Sequence, residues 1–313
     1  MEEFLWVEKY RPKTVSECIL PDRLKTPFQE YVNRKTIPNL LLTGGAGVGK
    51  TTVAKAMCNE IGLSYMHINA SRENGIDTLR TKIVNYASTV SLSGTRKVII
   101  LDEADGLTPS AQEAFRGTIE EFSSNCSFIL TCNFKNKLIE PMHSRSAVID
   151  FSLRPDEKPK MASAFFKRLG EILDKEQVTY DKAVLVKIVE KYFPDFRRTL
   201  GQLQHFASTG PIDASTLTQV TDVKKINELV AALKAKNFKD MRKWVVLNSD
   251  VEASQIFRKV YDGLYDYMKP EYIPQAVIIL GRYQFQAGFV ADQEINTVAA
   301  LTELMVECEF VEH

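Results

Sequence analysis

One short segment combines the residue types that bind a polyphosphate. Residues 44–51 fit the spacing G-x-x-x-x-G-K-[ST], after the apolar run 40–43 and before the helix-forming stretch 52–58. A strand that turns into a helix through glycines points backbone N–H groups, and the positive end of the helix dipole, at one spot. The pattern therefore predicts a nucleoside triphosphate site. Its predicted nucleotide-binding residues are Gly44, Gly45, Ala46, Gly47, Val48, Gly49, Lys50, Thr51 and Thr52.

Four side chains give this site its predicted chemistry. We expect Lys50 to reach the β- and γ-phosphates and Thr51 to hold Mg²⁺. A second apolar run ends in Asp102 and Glu103, and the carboxyl end of a parallel strand faces the crevice where ligands bind. Asp102 is expected to hold the hydrated Mg²⁺, and Glu103 to polarise the water that attacks the γ-phosphate. A solvated strand end is the alternative, but the upstream P-loop favours the functional interpretation.

Two further polar side chains are candidates on weaker grounds. Asn133 follows an apolar run, so its amide could bond the γ-phosphate or orient the water, although a turn-forming asparagine after a strand is common. Arg145 follows a turn and leads into the next apolar run, which places it poorly for its own phosphates. The residues alone leave two interpretations of Arg145 open, a surface arginine or an arginine finger that enters a neighbour's site.

The composition excludes several functional classes. The 313 residues carry 40 basic and 40 acidic side chains, so any contact with nucleic acid must come from local patches. The five scattered cysteines predict reduced thiols, and the four scattered histidines do not predict a metal cage. The acidic N-terminus lacks a signal-peptide pattern, and no apolar run is long enough to span a bilayer. We therefore predict a cytoplasmic protein without a membrane partner.

The periodicity of apolar residues predicts an α/β domain followed by helices only. Five short runs, at residues 40–43, 65–69, 98–101, 128–131 and 148–153, alternate with helical stretches, which implies a parallel five-stranded sheet. Thr108 and Pro109 are expected to open one of these helices. After residue 153, three short helices predict a small lid, in which Asp195 caps the third helix. About five more helical stretches predict an all-α assembly domain, or collar.

The predicted domains are therefore the α/β domain at residues 1–153, the helical lid at residues 154–221 and the all-α collar at residues 222–313.

The order of these motifs resembles that of the AAA+ clamp loaders. Residues 6–12 read W-V-E-K-Y-R-P, which matches a box at the start of that family, and residues 68–77 resemble its N-A-S-D-E-R-G-I-D segment. Residues 102–105 read D-E-A-D, Arg145 lies in an S-R-x motif, and residues 195–198 match a helical D-x-R-R. Within the family, the chain most resembles the sliding-clamp-loader ATPase subunits of T-even-type bacteriophages, which are similar to replication factor C small subunits.

This resemblance implies a role for each matching residue. Asn133 would be the first phosphate sensor, and Arg197, carried on the lid, would be the second. Arg145 would act in trans on a neighbouring subunit's nucleotide. ATP and Mg²⁺ are the implied cofactors. The residues that would line the adenine pocket are Val7, Tyr10, Arg11 and Pro12.

Contacts with DNA and with the clamp are also implied by the resemblance. Four residues fall on the two helices that would line a subunit spiral and track the DNA backbone, and each could instead be a solvated side chain. They are Arg80, Lys82, Gln112 and Arg116. Residues 87–93 are a candidate clamp anchor, with a core segment as the alternative.

The sequence departs from the family pattern at two places. Ser146 replaces the cysteine of S-R-C, and Arg72 and Asn74 change the D-E-R-G segment, which in this family is thought to restrain the catalytic glutamate until DNA binds. Which of Arg72 and Asn74 takes that part is left open.

The resemblance implies an ATPase subunit of a DNA polymerase sliding-clamp loader, active in DNA replication. ATP bound between subunits would hold a spiral that opens the ring-shaped clamp, and primer–template DNA would trigger hydrolysis and release. The implied partners are the clamp, primer–template DNA and other loader subunits in a hetero-oligomer, expected to be pentameric and, for a phage protein, to work in the host cytoplasm. The alternatives are an AAA+ branch-migration or helicase-loading motor and a non-hydrolysing structural subunit.

Overall fold

The chain divides into two compact units, Met1–Leu217 and Thr218–His313. The computed structural model describes residues 4–71, 76–89, 96–213, 216, 223–249 and 251–311. The first unit contains the sheet and nine α-helices among its described residues, and the described part of the second unit is built from helices. The further division of the first unit at residue 153 remains a prediction.

A five-stranded parallel sheet forms the centre of the first unit. Its strand order is β2-β3-β4-β1-β5, so the chain leaves β1 for the far edge and returns strand by strand. This confirms the predicted parallel α/β sheet. The strands are β1 (Leu40–Thr43), β2 (Tyr65–Asn69), β3 (Lys97–Asp102), β4 (Cys126–Cys132) and β5 (Ala147–Asp150).

Helices cover both faces of this sheet because side chains alternate along each buried strand. The helices of this part are α1 (Trp6–Lys9), α2 (Asp22–Asn33), α3 (Lys50–Ile61), α4 (Ile76–Ser88), α5 (Pro109–Phe122) and α6 (Glu140–Ser144). In β1, Leu40 and Leu42 join the core beneath α2 and α3, whereas Leu41 joins the core beneath α4 and α5.

Local signals set the ends of these elements. The Thr108 hydroxyl accepts a hydrogen bond from the Ala111 N–H at 3.3 Å, with Pro109 in the first turn, which confirms the predicted start of α5. Strand β5 is shorter than the predicted run 148–153. The Asp150 carboxylate accepts a hydrogen bond from the Ser152 N–H at 2.8 Å, and this turn ends the strand.

Three helices, α7 (Lys158–Lys175), α8 (Lys182–Tyr192) and α9 (Phe196–Thr209), complete the first unit. Their apolar stripes pack together, and α8 contacts both α7 and α9. Asp195 caps α9, because its carboxylate accepts a hydrogen bond from the Arg198 N–H at 2.9 Å. The three predicted lid helices are therefore present.

The described residues of the second unit form a hydrophobic core, which includes Phe257, Leu280 and Leu301. Its described helices are α10 (Val223–Lys234), α11 (Phe238–Leu247), α12 (Ala253–Asp262), α13 (Leu264–Tyr267), α14 (Ile273–Gln286) and α15 (Gln293–Glu307). In the part of the chain that the structure describes, no helix is both long and apolar enough to cross a membrane.

Candidate functional site

Strand register collects polar side chains at one edge of the sheet. Asn69 ends β2 opposite Asp102 at the end of β3, and Thr43 ends β1 between Cys132 and Asp150. The glycine-rich loop follows β1 directly, so it joins the same edge, where α/β proteins bind their ligands.

Glycine is required at two positions of this loop. Gly49, which precedes α3, has φ 96°, and Gly47 has φ 72°, both in the left-handed region that favours glycine. A Cβ on Gly47 would lie 1.7 Å from Asp195 Oδ1, and the Gly47 carbonyl accepts a hydrogen bond from Phe196 N at 3.1 Å. The start of α9 therefore contacts the P-loop directly.

The Lys50 ammonium is held inside the loop. It donates hydrogen bonds to the carbonyls of Gly44 and Gly45, both at 2.7 Å, and to Asn133 Oδ1 at 3.0 Å. Burial lowers the pKa of Lys50, and the nearby Arg197 charge adds to this effect. The structure thus brings Lys50 and Asn133, two predicted site residues, into contact.

Asp102 is the acceptor at the centre of the strand edge. Its Oδ1 accepts hydrogen bonds from the hydroxyls of Thr51 at 2.6 Å and Thr131 at 2.5 Å, and His67 Nε2 lies 3.4 Å from Oδ2. Burial alone would raise the pKa of Asp102, but the hydrogen bonds from His67, Thr131 and Thr51 outweigh burial and hold this pKa well below its usual range. Asp102 is therefore ionised near neutral pH.

Glu103 is held in an unusual backbone conformation. Its φ of 57° lies in the left-handed region, which costs a non-glycine residue on the order of 1–3 kcal/mol. The Glu103 N–H donates to Thr131 Oγ1 at 3.1 Å, and the carboxylate accepts hydrogen bonds from Asn69 Nδ2 at 3.2 Å and Ser71 Oγ at 2.6 Å. No sequence motif indicated that Asn69 and Ser71 would bond Glu103, although Asn69 ends the strand next to β3.

The loop after β4 is fixed by the last residue of the D-E-A-D motif. Asp105 Oδ2 accepts hydrogen bonds from the backbone N–H groups of Asn133 and Phe134, both at 3.1 Å. These contacts position the Asn133 amide against Lys50. The sequence did not indicate this role of Asp105.

The N-terminal box packs against the P-loop helix and the lid. Arg11 donates to Thr52 Oγ1 at 3.5 Å on α3. The Tyr10 hydroxyl donates to Glu176 Oε1 at 2.5 Å, at the C-terminal end of α7, and Lys9 donates to the same oxygen at 2.7 Å. The N-terminal box therefore contacts both the P-loop helix α3 and the lid helix α7. No motif indicated that Glu176 would bind the box.

One pocket combines the box, the P-loop, both acidic residues and the lid. The residues from the predicted set that line it are Val7, Tyr10, Arg11, Pro12, Ala46, Gly47, Val48, Gly49, Lys50, Thr51, Thr52, Asp102, Glu103, Asn133 and Arg197. Phe165, Ile172 and Phe196 add an apolar wall from the lid that the motifs did not indicate. A polar end with phosphate-binding groups and an apolar end suit a nucleotide.

Arg145 has a partner within its own chain. Its Nε donates to Glu120 Oε1 on α5 at 2.7 Å, its Nη2 also contacts Glu120 Oε1, and its Nη1 donates to the Pro141 carbonyl at 3.2 Å. Arg145 is not among the described residues that line the nucleotide pocket. The same Glu120 oxygen lies 3.7 Å from the Nε of Arg116.

The expected DNA contact of Gln112 is wrong. Only 1% of this residue is exposed, so it cannot reach a DNA backbone in this conformation. Its amide group donates to the carbonyls of Leu107 and Lys137, both at 3.0 Å, and accepts from the Ile139 N–H at 2.9 Å. Gln112 instead connects α5 to the segments on either side of it, and a buried polar group of this kind needs those partners.

The other three predicted DNA residues lie on the surface of α4 and α5. Arg80 and Lys82 are exposed on α4, and the Arg116 side chain is 41% exposed on α5. Arg72, Asn74 and the tip 90–93 of the candidate clamp anchor lie outside the described residues.

The sheet order, the P-loop after β1, the acidic pair after β3 and the helical lid define the class. It is a P-loop ATPase of the AAA type. In agreement, residues 40–153 match the family model "ATPase family associated with various cellular activities (AAA)", and residues 157–218 match "Sliding-clamp-loader large subunit, AAA+ ATPase lid domain".

Relatives of full length narrow this class. The sliding-clamp-loader large subunit of Enterobacteria phage T4 is 35% identical over 99% of this chain and 98% of its own. The sliding-clamp-loader large subunit of Escherichia phage RB69 is 37% identical over 98% of this chain and 97% of its own. The replication factor C small subunit of Archaeoglobus fulgidus is 36% identical over 97% of this chain and 98% of its own. The chain belongs to the family of sliding-clamp-loader subunits, and it is an ATPase.

Solved structures agree on the fold. A mutant of the Thermotoga maritima protein RuvB superposes with a TM-score of 0.57 at 16% identity and covers 92% of this chain and 91% of its own. At this identity the likeness shows an AAA+ fold alone.

Proposed function

We propose that this chain is an ATPase subunit that loads a ring-shaped sliding clamp onto primer–template DNA during replication. The observation that carries the proposal is the convergence of Lys50, Asp102 and Glu103 in one pocket of a clamp-loader family member. ATP bound between subunits holds a spiral that opens the clamp, and DNA triggers hydrolysis and release.

The pocket is proposed to bind ATP along its length. Val7, Tyr10, Arg11 and Pro12 would lie beside the adenine, and the backbone of residues 46–49, which lines the pocket, would face the phosphates. Gly44 and Gly45 do not line the pocket among the described residues, and they are proposed to act through their carbonyl contacts with Lys50. Lys50 would leave the carbonyls of Gly44 and Gly45 and bind the β- and γ-phosphates. Thr52, which lines the pocket at the start of α3, would also contact the nucleotide. Asn133, which contacts Lys50, would be the first phosphate sensor, and Arg197 on α9 would be the second.

The residues beside Lys50 fit a magnesium ion. The Thr51 hydroxyl and the Asp102 carboxylate lie 2.6 Å apart, and both offer hard oxygen ligands. Asp102 is ionised at neutral pH, and its hydrogen bonds hold its pKa below the usual range. We propose that Thr51 and Asp102 hold Mg²⁺. When bound, the ion supplies positive charge beside the β- and γ-phosphates.

Glu103 is proposed to polarise the attacking water, and its contacts support a restrained starting state. The Glu103 carboxylate accepts hydrogen bonds from Asn69 and Ser71, and both of these residues precede the segment 72–75 that corresponds to D-E-R-G. Hydrolysis then requires Glu103 to leave these donors, which suits an enzyme that waits for DNA.

Neighbouring subunits and DNA complete the proposed mechanism. Arg145 would act in trans on the γ-phosphate of an adjacent subunit, and Arg80, Lys82 and Arg116 would contact the DNA backbone. The partners are the clamp, primer–template DNA and other loader subunits, in a hetero-oligomer that we propose to be pentameric and to work in the cytoplasm. Residues 1–153, 154–221 and 222–313 are the proposed ATPase, lid and collar domains.

Neither rival function gains support. A non-hydrolysing structural subunit has no need of Lys50, Asp102 and Glu103 in one pocket. A branch-migration motor would share the fold, but the three relatives named above, which are 35% to 37% identical, are clamp-loader subunits.

The direct test is ATP turnover by the purified chain assembled with its partner subunits. Turnover is measured alone, with primer–template DNA, with the clamp, and with both. The proposal predicts slow turnover alone and strong stimulation by DNA and clamp together. Turnover that ignores both ligands, in an assembly that demonstrably binds ATP, would contradict a clamp-loading role.

A further inference from the structure

Glu120 is shared by two arginines to which the proposed function gives different tasks. Its Oε1 accepts from Arg145 Nε at 2.7 Å and lies 3.7 Å from Arg116 Nε. Arg145 is the proposed finger, and Arg116 is a proposed DNA contact. We propose that Glu120 is a positioning residue that orients the Arg145 guanidinium. We propose further that Glu120 binds Arg145 more firmly when a DNA phosphate binds Arg116. This inference rests on the proposed function.

The geometry at Arg145 suits an orienting role. Glu120 takes the edge of the guanidinium formed by Nε and Nη2, and the Pro141 carbonyl takes Nη1 at 3.2 Å. A planar guanidinium that is held along one edge keeps a fixed direction for its remaining N–H groups. Arg145 is itself 32% exposed, so a phosphate can approach it from solvent.

The geometry at Arg116 supplies the coupling. Two guanidinium groups compete for one carboxylate oxygen, so each weakens the hold of Glu120 on the other. If a DNA phosphate binds Arg116 and moves it away, Glu120 pairs with Arg145 alone, and the ion pair between Glu120 and Arg145 becomes stronger. Exposed ion pairs are weak, and this exchange is therefore accessible to a phosphate ligand.

Glu113 provides a matched control on the same helix. Its Oε2 lies 3.4 Å from Arg116 Nη1, and its side chain is 54% exposed against 47% for Glu120. In the part of the chain that the structure describes, Glu113 makes no ion pair with Arg145. Both Glu113→Gln and Glu120→Gln remove one carboxylate beside Arg116. Only Glu120→Gln removes a partner of Arg145.

The test compares these variants in the assembled loader by titrating primer–template DNA. Both should lower the DNA concentration for half-maximal stimulation, because Arg116 loses a competing carboxylate in each variant. Only Glu120→Gln should lower turnover at saturating DNA, by about 10- to 100-fold, as expected for a group displaced by about 1 Å. Glu120→Asp, which keeps the charge, should recover part of that loss and also serves if Glu120→Gln folds poorly.

Arg145→Ala separates this inference from the proposed function. Adding Glu120→Gln to Arg145→Ala should slow turnover no further, because Glu120 acts through Arg145. Equal turnover of Glu120→Gln and Glu113→Gln at saturating DNA, or a further loss in the double variant, would overturn the inference. If Arg145→Ala alone keeps full turnover, the proposed finger itself is wrong.

Discussion

The nucleotide pocket and the exposed face of α4 and α5 use charged residues in opposite ways. In the pocket, Lys50 is only 7% exposed, and Asp102 accepts several hydrogen bonds that keep it ionised. On α5, the Arg116 side chain is 41% exposed, and it shares the Glu120 carboxylate with Arg145, which follows α6 and is 32% exposed. Buried and partly buried hydrogen bonds therefore fix the charged groups of the pocket, whereas the ion pairs of Glu120 are exposed and can exchange partners. We propose catalysis for the first region and regulation for the second.

Arg145→Ala should give the largest effect that separates the two regions. We expect turnover of the assembly to fall by about 10³- to 10⁵-fold, because the variant lacks the guanidinium proposed to stabilise the charge that develops on the γ-phosphate. ATP affinity should change little, since Arg145 is not among the described residues that line the pocket. Turnover and binding of a fluorescent ATP analogue measure the two quantities.

Mixing with Lys50→Ala subunits tests whether Arg145 acts between chains. In a mixed interface, the P-loop of an Arg145→Ala subunit can meet the Arg145 of a Lys50→Ala subunit, so some activity should return. If co-assembled variants stay as inactive as each alone, the finger does not act in trans.

Replacing Gln112 should affect folding where replacing Arg116 does not. Gln112→Leu leaves two carbonyls and one N–H without partners, so we expect the free energy of unfolding to fall by about 2–4 kcal/mol. Arg116→Ala, one turn further along α5, should stay within about 0.5 kcal/mol of the wild type. Urea unfolding of both variants gives the comparison, and equal stabilities would mean that Gln112 is not a structural link.

These two neighbours show what sequence could and could not predict. Gln112 and Arg116 are four residues apart and both polar, so their types gave no reason to separate them. Burial decides their roles, because the loops at residues 107 and 137–139 close over Gln112. That closure depends on contacts 25 or more residues away in the chain.

The pocket was predictable because its motifs are local. Glycines, Lys50 and Thr51 lie in one run, and Asp102 and Glu103 end a strand, so the fold brings them together by register alone. The partners that tune the site were not predictable in this way. Asn69, Thr131 and Glu176 come from three separate segments, and only the packed structure places them against Glu103, Asp102 and Tyr10.

The salt dependence of DNA binding should show the smallest effect. Arg80→Ala and Arg116→Ala should each reduce the slope of log affinity against log salt concentration by about 0.9, the contribution of one phosphate contact. A control substitution at buried Gln112 should leave the slope unchanged if the variant is folded. An unchanged slope in both arginine variants would remove the α4 and α5 face from the DNA interface.

The most direct test of the account is single-turnover ATP hydrolysis by the assembly that carries Glu103→Gln. The substitution keeps the shape of the side chain but removes the charge that polarises the water. We predict that ATP binds with wild-type affinity and that its cleavage with primer–template DNA and clamp slows by about 10²–10⁴, the usual contribution of a general base. Loss of ATP binding would make Glu103 a structural residue, and undiminished cleavage would place the chemistry elsewhere.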